Sequence, residues 1–421
     1  MARFRDILRE RNFSLLWSGQ IISQFGDRLN QMALIGMVYE KVGYSTFALA
    51  KVMLPMIIPV LIIGPVAGVY VDRWNRKWTM IISDIARGLF VLLIPLSLIY
   101  VKTMAPVYVI IFIVFSITRF FLPAKMAILP DIVSTDKLLI ANSLSSTTRM
   151  IAAILSLPLA GFIVRWVGAK GGFYIDAITF FLSAFMIWMI RLEKNSTHKY
   201  KDDLIVTKEA LGQSIRRSVF KDVMEGLRYL ISSRELLLVT VMSFLLMSGA
   251  GAVSVVIVVF IQESLKSVTR DLGLLGMSLG AGLFLGSVLY GRFGEMLPKF
   301  KVIFSGFTMG GILVVLFSLV IKASGSLALA LVLAAVLGLV SSPIVVSSNT
   351  MLHEIMPNKI RGRIFSSLEV IIHIAFLVFM LLTSFLAEFI SKASILVYSG
   401  IFFAVCGAGG MVITKKMLTK P

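Results

Sequence analysis

Apolar runs of about 20 residues recur from one end of the chain to the other, and a run of that length matches the hydrocarbon core of a bilayer crossed by one α-helix. The runs fall near 13–40, 46–70, 77–100, 105–128, 138–165, 171–191, 236–262, 271–292, 301–322, 326–350, 362–390 and 393–414. A lipid-exposed backbone must satisfy its own polar groups, so each run is expected as a helix rather than as an open strand. With 58% hydrophobic and 15% charged residues, the chain cannot bury its apolar surface as a water-soluble globule. The expected fold is an all-α polytopic membrane protein with twelve transmembrane helices.

The charges that remain are placed by the same constraint. Most of the 41 Lys and Arg residues lie in the tails and the even-numbered loops, which predicts an inner-membrane protein with both termini in the cytoplasm. The net charge of +19 therefore reflects membrane orientation, and nucleic acid is not an expected partner. Residues 1–11 are mixed in charge and the first run carries Asp27 and Arg28, so this run is expected to stay in the membrane rather than be cleaved as a signal peptide. Cys406 is the single cysteine, which rules out a disulfide framework or a cysteine metal site within one chain.

The only long polar interval, 193–235, separates six runs from six. This predicts an N-terminal six-helix bundle over 1–192, a cytoplasmic linker over 193–235 and a C-terminal six-helix bundle over 236–421. In the linker, Phe220, Val223, Leu227 and Leu230 share one helical face while Lys221, Asp222 and Arg228 fall elsewhere, as in an amphipathic helix on a membrane surface. His198 is expected to be solvated there. The halves read as diverged copies: Gly286 to Arg292 is a decayed counterpart of the loop after the second run, with Tyr290 or a neighbour in place of Asp72. Met356-Pro357-Asn358 likewise answers Leu129-Pro130-Asp131.

That second loop, Gly68-Val69-Tyr70-Val71-Asp72-Arg73-Trp74-Asn75-Arg76-Lys77, puts a turn, an acid and three cations where a helix pair reverses. Gly68 allows close helix approach, Asp72 offers a carboxylate to a helix N-terminus, and Arg73, Arg76 and Lys77 hold the loop on the cytoplasmic side. The expected element is a conformational latch.

Ionisable groups at membrane depth are costly and point to function. Asp27 and Arg28 sit mid-span beside Gln24, Asn30 and Gln31; adjacent helical residues diverge by about 100°, so one of the two is expected to face a cavity. Arg119 and Arg149 lie at depths from which either could neutralise Asp27. Glu369 and His373, four apart, share a helix face and form a candidate proton relay. Asp84 and Arg87 have the spacing of an intrahelical pair and read as support for the latch; Asp176 and Glu388 read as hydrated groups near span ends; His353 and Glu354 read as gate or loop contacts. The 30 Phe and 22 Met residues could line a wall that repacks around bulky amphiphiles, although lipid-facing helices use the same residues.

No nucleophile elbow, zinc-binding helix, Walker loop or dinucleotide fingerprint occurs. Neither an enzyme nor a metal or cofactor is expected. A non-transporting receptor or scaffold is the remote alternative.

These residues together resemble the major facilitator superfamily over essentially the whole chain. Gly-x-x-x-Asp-Arg-x-x-Arg-Lys at Gly68 to Lys77 is similar to its loop signature. Arg119 to Ala124 with Leu138 to Leu144, Val223 to Leu230, and Arg361 to Ser366 resemble the branch of macrolide-efflux-type exporters. The resemblance implies two pseudo-symmetric six-helix bundles working by alternating access, with Asp72 capping the eleventh helix when the cytoplasmic side is shut. It also implies proton-coupled efflux of amphiphilic or drug-like molecules, Arg119 matching an arginine associated with proton coupling, in a chain acting as a monomer. Leu157-Pro158-Leu159-Ala160-Gly161 stands where antiporters of this kind carry Gly-Pro-x-x-Gly. Ser23 to Asp27 and Pro123-Ala124-Lys125, with Lys137-Leu138 and Ala141-Asn142, are also similar to lysophospholipid transporters, which keeps a lipid cargo as the alternative.

Overall fold

In the computed structural model, residues 7–71, 74–100, 103–134, 137–192, 224–231, 234–294, 297–355 and 361–418 are described. Twelve long helical segments follow in chain order: α1 Arg11–Val42, α2 Thr46–Ile62, α3 Gly64–Val71, α4 Arg76–Tyr100, α5 Ala105–Ile132, α6 Leu138–Trp188, α7 Arg234–Leu265, α8 Arg270–Phe293, α9 Lys299–Ser324, α10 Leu327–Ile355, α11 Arg361–Leu386 and α12 Lys392–Leu418. Among the described residues, nine of these, α4 to α12, are long and apolar enough to cross a membrane. α6 is two spans in one, since its 51 residues break at Gly168, where φ 76° and ψ 171° leave the helix. That left-handed φ suits a residue without a Cβ. Counting both arms of α6, then α1 and the α2–α3 pair, recovers the twelve expected spans.

α2 ends at Ile62 and α3 restarts at Gly64 because the Gly64-Pro65 step removes a backbone donor from the helical ladder. The latch loop follows. Asp72 and Arg73 lie outside the described residues and Gly68 falls within α3. Asn75 opens α4, its Oδ1 accepting from the Trp78 amide at 3.1 Å, an N-cap that satisfies one of the orphan donors of the first turn.

The described residues group into two compact units. The first takes in Met1–Met37, Val52–Ser156 and Ile163–Lys221; the second takes in Val38–Lys51, Leu157–Phe162 and Asp222–Pro421. The grouping is therefore not a clean cut at the linker: the end of α1, the start of α2 and one short stretch of α6 go with the C-terminal helices.

In the first unit α4 packs on α5, and Phe13, Leu16, Met80, Phe121, Ile128 and Ile187 belong to one buried cluster. A Cβ placed on Gly26 of α1 would overlap Thr179 Oγ1 of α6 and crowd Asp176 Oδ1, so glycine is what lets these backbones close.

In the second unit α9 packs on α12, α8 on α10 and α7 on α11. Lipid supplies no hydrophobic drive between helices, so small residues set the contacts. A Cβ on Gly282 or Gly338 would run into the backbone of the facing helix, α10 or α8 respectively. Residues 224–230 are helical, with Leu230 fully buried against Leu236, Val239 and Ile303 and Arg228 exposed. Phe220, Lys221, Asp222 and Val223 of the expected amphipathic face lie outside the described residues, as does His198. Where the first copy of the loop carries its acid, the second has Tyr290, whose hydroxyl accepts from Ser347 Oγ of α10 at 2.7 Å.

Candidate functional site

The first unit holds a cavity of about 320 Å³ lined by Gln24, Asp27, Arg28, Asn30 and Gln31 of α1, Met56 of α2, Val114, Phe115, Thr118 and Arg119 of α5, and Arg149 of α6. Four of the six candidate binding residues thus share one chamber, although they lie up to 122 positions apart (149 − 27) in the chain. Both Asp27 and Arg28 line it, whereas the sequence reading placed only one of them there. Two side chains 100° apart can both edge an opening that is wide relative to the helix. Arg28 Nη1 donates to Gln31 Oε1 at 3.0 Å, which draws its guanidinium along the cavity-side face of α1.

Asp27 is exposed to this space and makes no direct ion pair among the described residues. The cations within its electrostatic range are Arg87, Arg28 and Lys125. The expected neutralising partners, Arg119 and Arg149, share the cavity with Asp27, and among the described residues Arg149 makes no direct bond to it.

Beneath the cavity wall lies a buried polar layer that the sequence reading assigned elsewhere. Asp84 and Arg87 do pair across one turn of α4, as their spacing predicts. They are 0% and 3% exposed, and the guanidinium stands 4.5 Å from the Phe121 ring centroid and 4.3 Å from that of Phe180. The pair lies in the interior of the unit, where two aromatic faces and a carboxylate compensate the arginine. Asp176 is likewise fully buried instead of hydrated near a span end. The Gly26 contact brings α1 close enough for Asn30 Nδ2 to donate to Asp176 Oδ2 at 2.6 Å. Lys125, quoted in sequence only as part of a motif, belongs to the charged group around Asp27. Its position six residues after Arg119 on a polar-poor helix was the available signal.

The two described latch cations have defined partners within the first unit. Arg76 Nη1 reaches Asp131 Oδ2 at 2.8 Å and the Ala127 carbonyl at 2.9 Å. Lys77 Nζ donates to the carbonyls of Trp188 at 2.8 Å and Ile190 at 2.7 Å, capping the C-terminal end of α6, where a cation complements the helix dipole.

In α11, His373 and Glu369 are neighbours on one face, but the ring Nδ1 is held by the Glu369 backbone carbonyl at 2.8 Å. The imidazole is thus anchored to the helix backbone and not to the carboxylate. Glu388 accepts from Ser45 Oγ and the Phe47 amide, each at 3.0 Å, and Glu354 pairs with Lys299. Among the described residues no group of three or more His, Cys, Asp and Glu side chains is arranged to hold a metal.

A charged chamber inside a bundle of membrane-spanning helices is the architecture of a solute carrier, and comparison with known proteins decides which kind. The family model described as transmembrane secretion effector, of the major facilitator type, matches residues 6–417. The chain belongs to this family. It is similar to macrolide efflux protein A of Streptococcus pyogenes, 23% identical over 303 residues that cover 71% of each protein. It is also similar to two uncharacterized MFS-type transporters of Bacillus subtilis (strain 168). YfiS is 29% identical over 181 residues, a match that spans 43% of this chain and 42% of YfiS. YvqJ is 22% identical over 97% of this chain and 94% of its own length.

Among solved structures, the nucleoside transporter NupG superposes with a TM-score of 0.71 at 13% identity, covering 94% of this chain and 99% of that one. A bacterial homologue of the iron transporter ferroportin gives 0.68 at 12% identity, covering 95% and 98%. At these identities the likeness establishes the fold. This family member is a secondary transporter of the major facilitator type, an all-α membrane protein with the major facilitator fold.

Proposed function

We propose that this transporter works by alternating access and exports amphiphilic or drug-like small molecules in exchange for protons, with Asp27 as the proton-carrying group. The observation that carries the reading is the position of Asp27: a carboxylate at membrane depth, open to a cavity, without a direct ion pair among the described residues. Such a group can gain and lose a proton without first breaking a structural salt bridge. Met56, Val114 and Phe115 give the same cavity an apolar side suited to an amphiphile. Similarity to a macrolide efflux protein supports export of bulky organic molecules. Glu369 and His373 are assigned a secondary role in proton movement, and the Gly68–Lys77 loop the role of latch. The Lys and Arg distribution supports an inner-membrane location with both termini in the cytoplasm. The working unit is taken as a monomer that moves its cargo without chemical conversion.

Movement of a lipid between leaflets is the second reading, favoured by the mixture of apolar and charged residues in the one chamber. The two are separated in proteoliposomes carrying a fluorescent amphiphile or a labelled lysophospholipid, with and without an imposed pH gradient. Movement of the amphiphile opposite to the proton flow, lost in Asp27→Asn, is expected. Gradient-independent movement of the lysophospholipid alone would replace the first reading with the second.

A further inference from the structure

Arg28 and Arg149 line the cavity together with Asp27, and among the described residues Asp84 and Asp176 are the other carboxylates buried in the first unit. Asp84 is committed to Arg87 and Asp176 accepts from Asn30, so neither reaches the cavity as a counter-charge. Asp27 is the one carboxylate among the lining residues, and it shares the cavity with Arg28 and Arg149.

Arg149 is exposed to the cavity and makes no hydrogen bond or ion pair among the described residues. A cation at membrane depth is costly without a counter-charge. The unsatisfied requirement is for a negative group on a partner that enters and leaves.

Resting on the export reading above, we propose that the cargo carries an acid group, a carboxylate or phosphate, which docks on Arg149 while its apolar part lies along Met56, Val114 and Phe115. A planar arginine fork suits bidentate contact with either oxyanion. A cationic drug entering the same chamber would meet an excess of its own sign. Selectivity by charge therefore belongs to this wall of the cavity.

The test uses full-length protein in nanodiscs of phosphatidylcholine, which carry no net lipid charge. Two dansyl-labelled probes of equal chain length are titrated, one ending in a carboxylate and one in an ammonium group. The carboxylate probe is expected to bind about tenfold tighter or more. Arg149→Gln should abolish that preference, Arg149→Lys should keep part of it, and Arg149→Glu should reverse it, with the fold of each variant confirmed by its elution as a single monodisperse peak.

Competition then identifies the source of the anion. Displacement by lysophosphatidylglycerol but not by a free fatty acid assigns the site to a lipid headgroup; the converse assigns it to a free amphiphilic acid. Tighter binding of the ammonium probe, or an unchanged preference in Arg149→Gln, overturns the proposal. Gradient-driven export of the ammonium probe with no charge preference would overturn it while leaving proton-coupled export intact.

Discussion

Asp27 and Asp176 stand on α1 and α6 of the same unit, yet their environments give them opposite duties. Asp27 opens into a cavity and has no direct ionic partner among the described residues, which suits a group that must change state. Asp176 is sealed against Asn30 and Thr179, which suits a group that must not. Asn30→Ala should therefore leave Asp176 Oδ2 buried without its donor and lower stability by about 1–3 kcal/mol, read as a lower thermal unfolding midpoint. Arg87→Leu should be more damaging, about 3–5 kcal/mol, because it strands the Asp84 charge in the interior; combining it with Asp84→Leu should restore much of the loss. A double variant no better than the single one would show that the stacking of Arg87 on Phe121 and Phe180, and not the ion pair, is what the structure uses. In α11, the bond from His373 to the Glu369 carbonyl survives removal of the Glu369 carboxylate. Glu369→Gln should alter the pH profile of transport less than His373→Ala, which removes the ring itself.

At the level of elements, helix ends and breaks are set by a few identifiable groups. Lys77 ties the start of α4 to the last carbonyls of α6. Lys77→Ala should speed hydrogen exchange over the final turn of α6, and Lys77→Arg should preserve most of the protection. The break inside α6 depends on Gly168, whose φ of 76° is costly for any residue with a Cβ. Gly168→Val should cost about 1–3 kcal/mol. The positions of these elements were legible from apolar run length alone: the runs read at 138–165 and 171–191 bracket Gly168, that read at 105–128 falls inside α5, and that read at 326–350 starts one residue before α10. The depth of Asp176 was not legible, because run position gives distance along a helix axis and says nothing about which neighbour closes over that face. A single glycine on another helix, Gly26, decides it.

For the whole molecule, transport requires that the latch and the cavity be separable functions. Asp72→Asn is expected to slow turnover of a fluorescent amphiphile in proteoliposomes while leaving its equilibrium affinity in detergent within about threefold of the parent. Equal loss of affinity and rate would place the loop in binding instead. Membership of the major facilitator superfamily, the all-helical class and the approximate span boundaries were determined by the sequence itself. Bilayer thickness and backbone hydrogen bonding leave a chain of such apolar runs few other solutions, and the Gly68–Lys77 motif is contiguous. The composition of the cavity was decided only by the tertiary structure. Arg28, Arg119 and Arg149 come from three different helices, and their meeting with Asp27 depends on the rotation of each helix about its axis. That rotation is set by small-residue packing and buried polar bonds between helices, interactions that no single run contains.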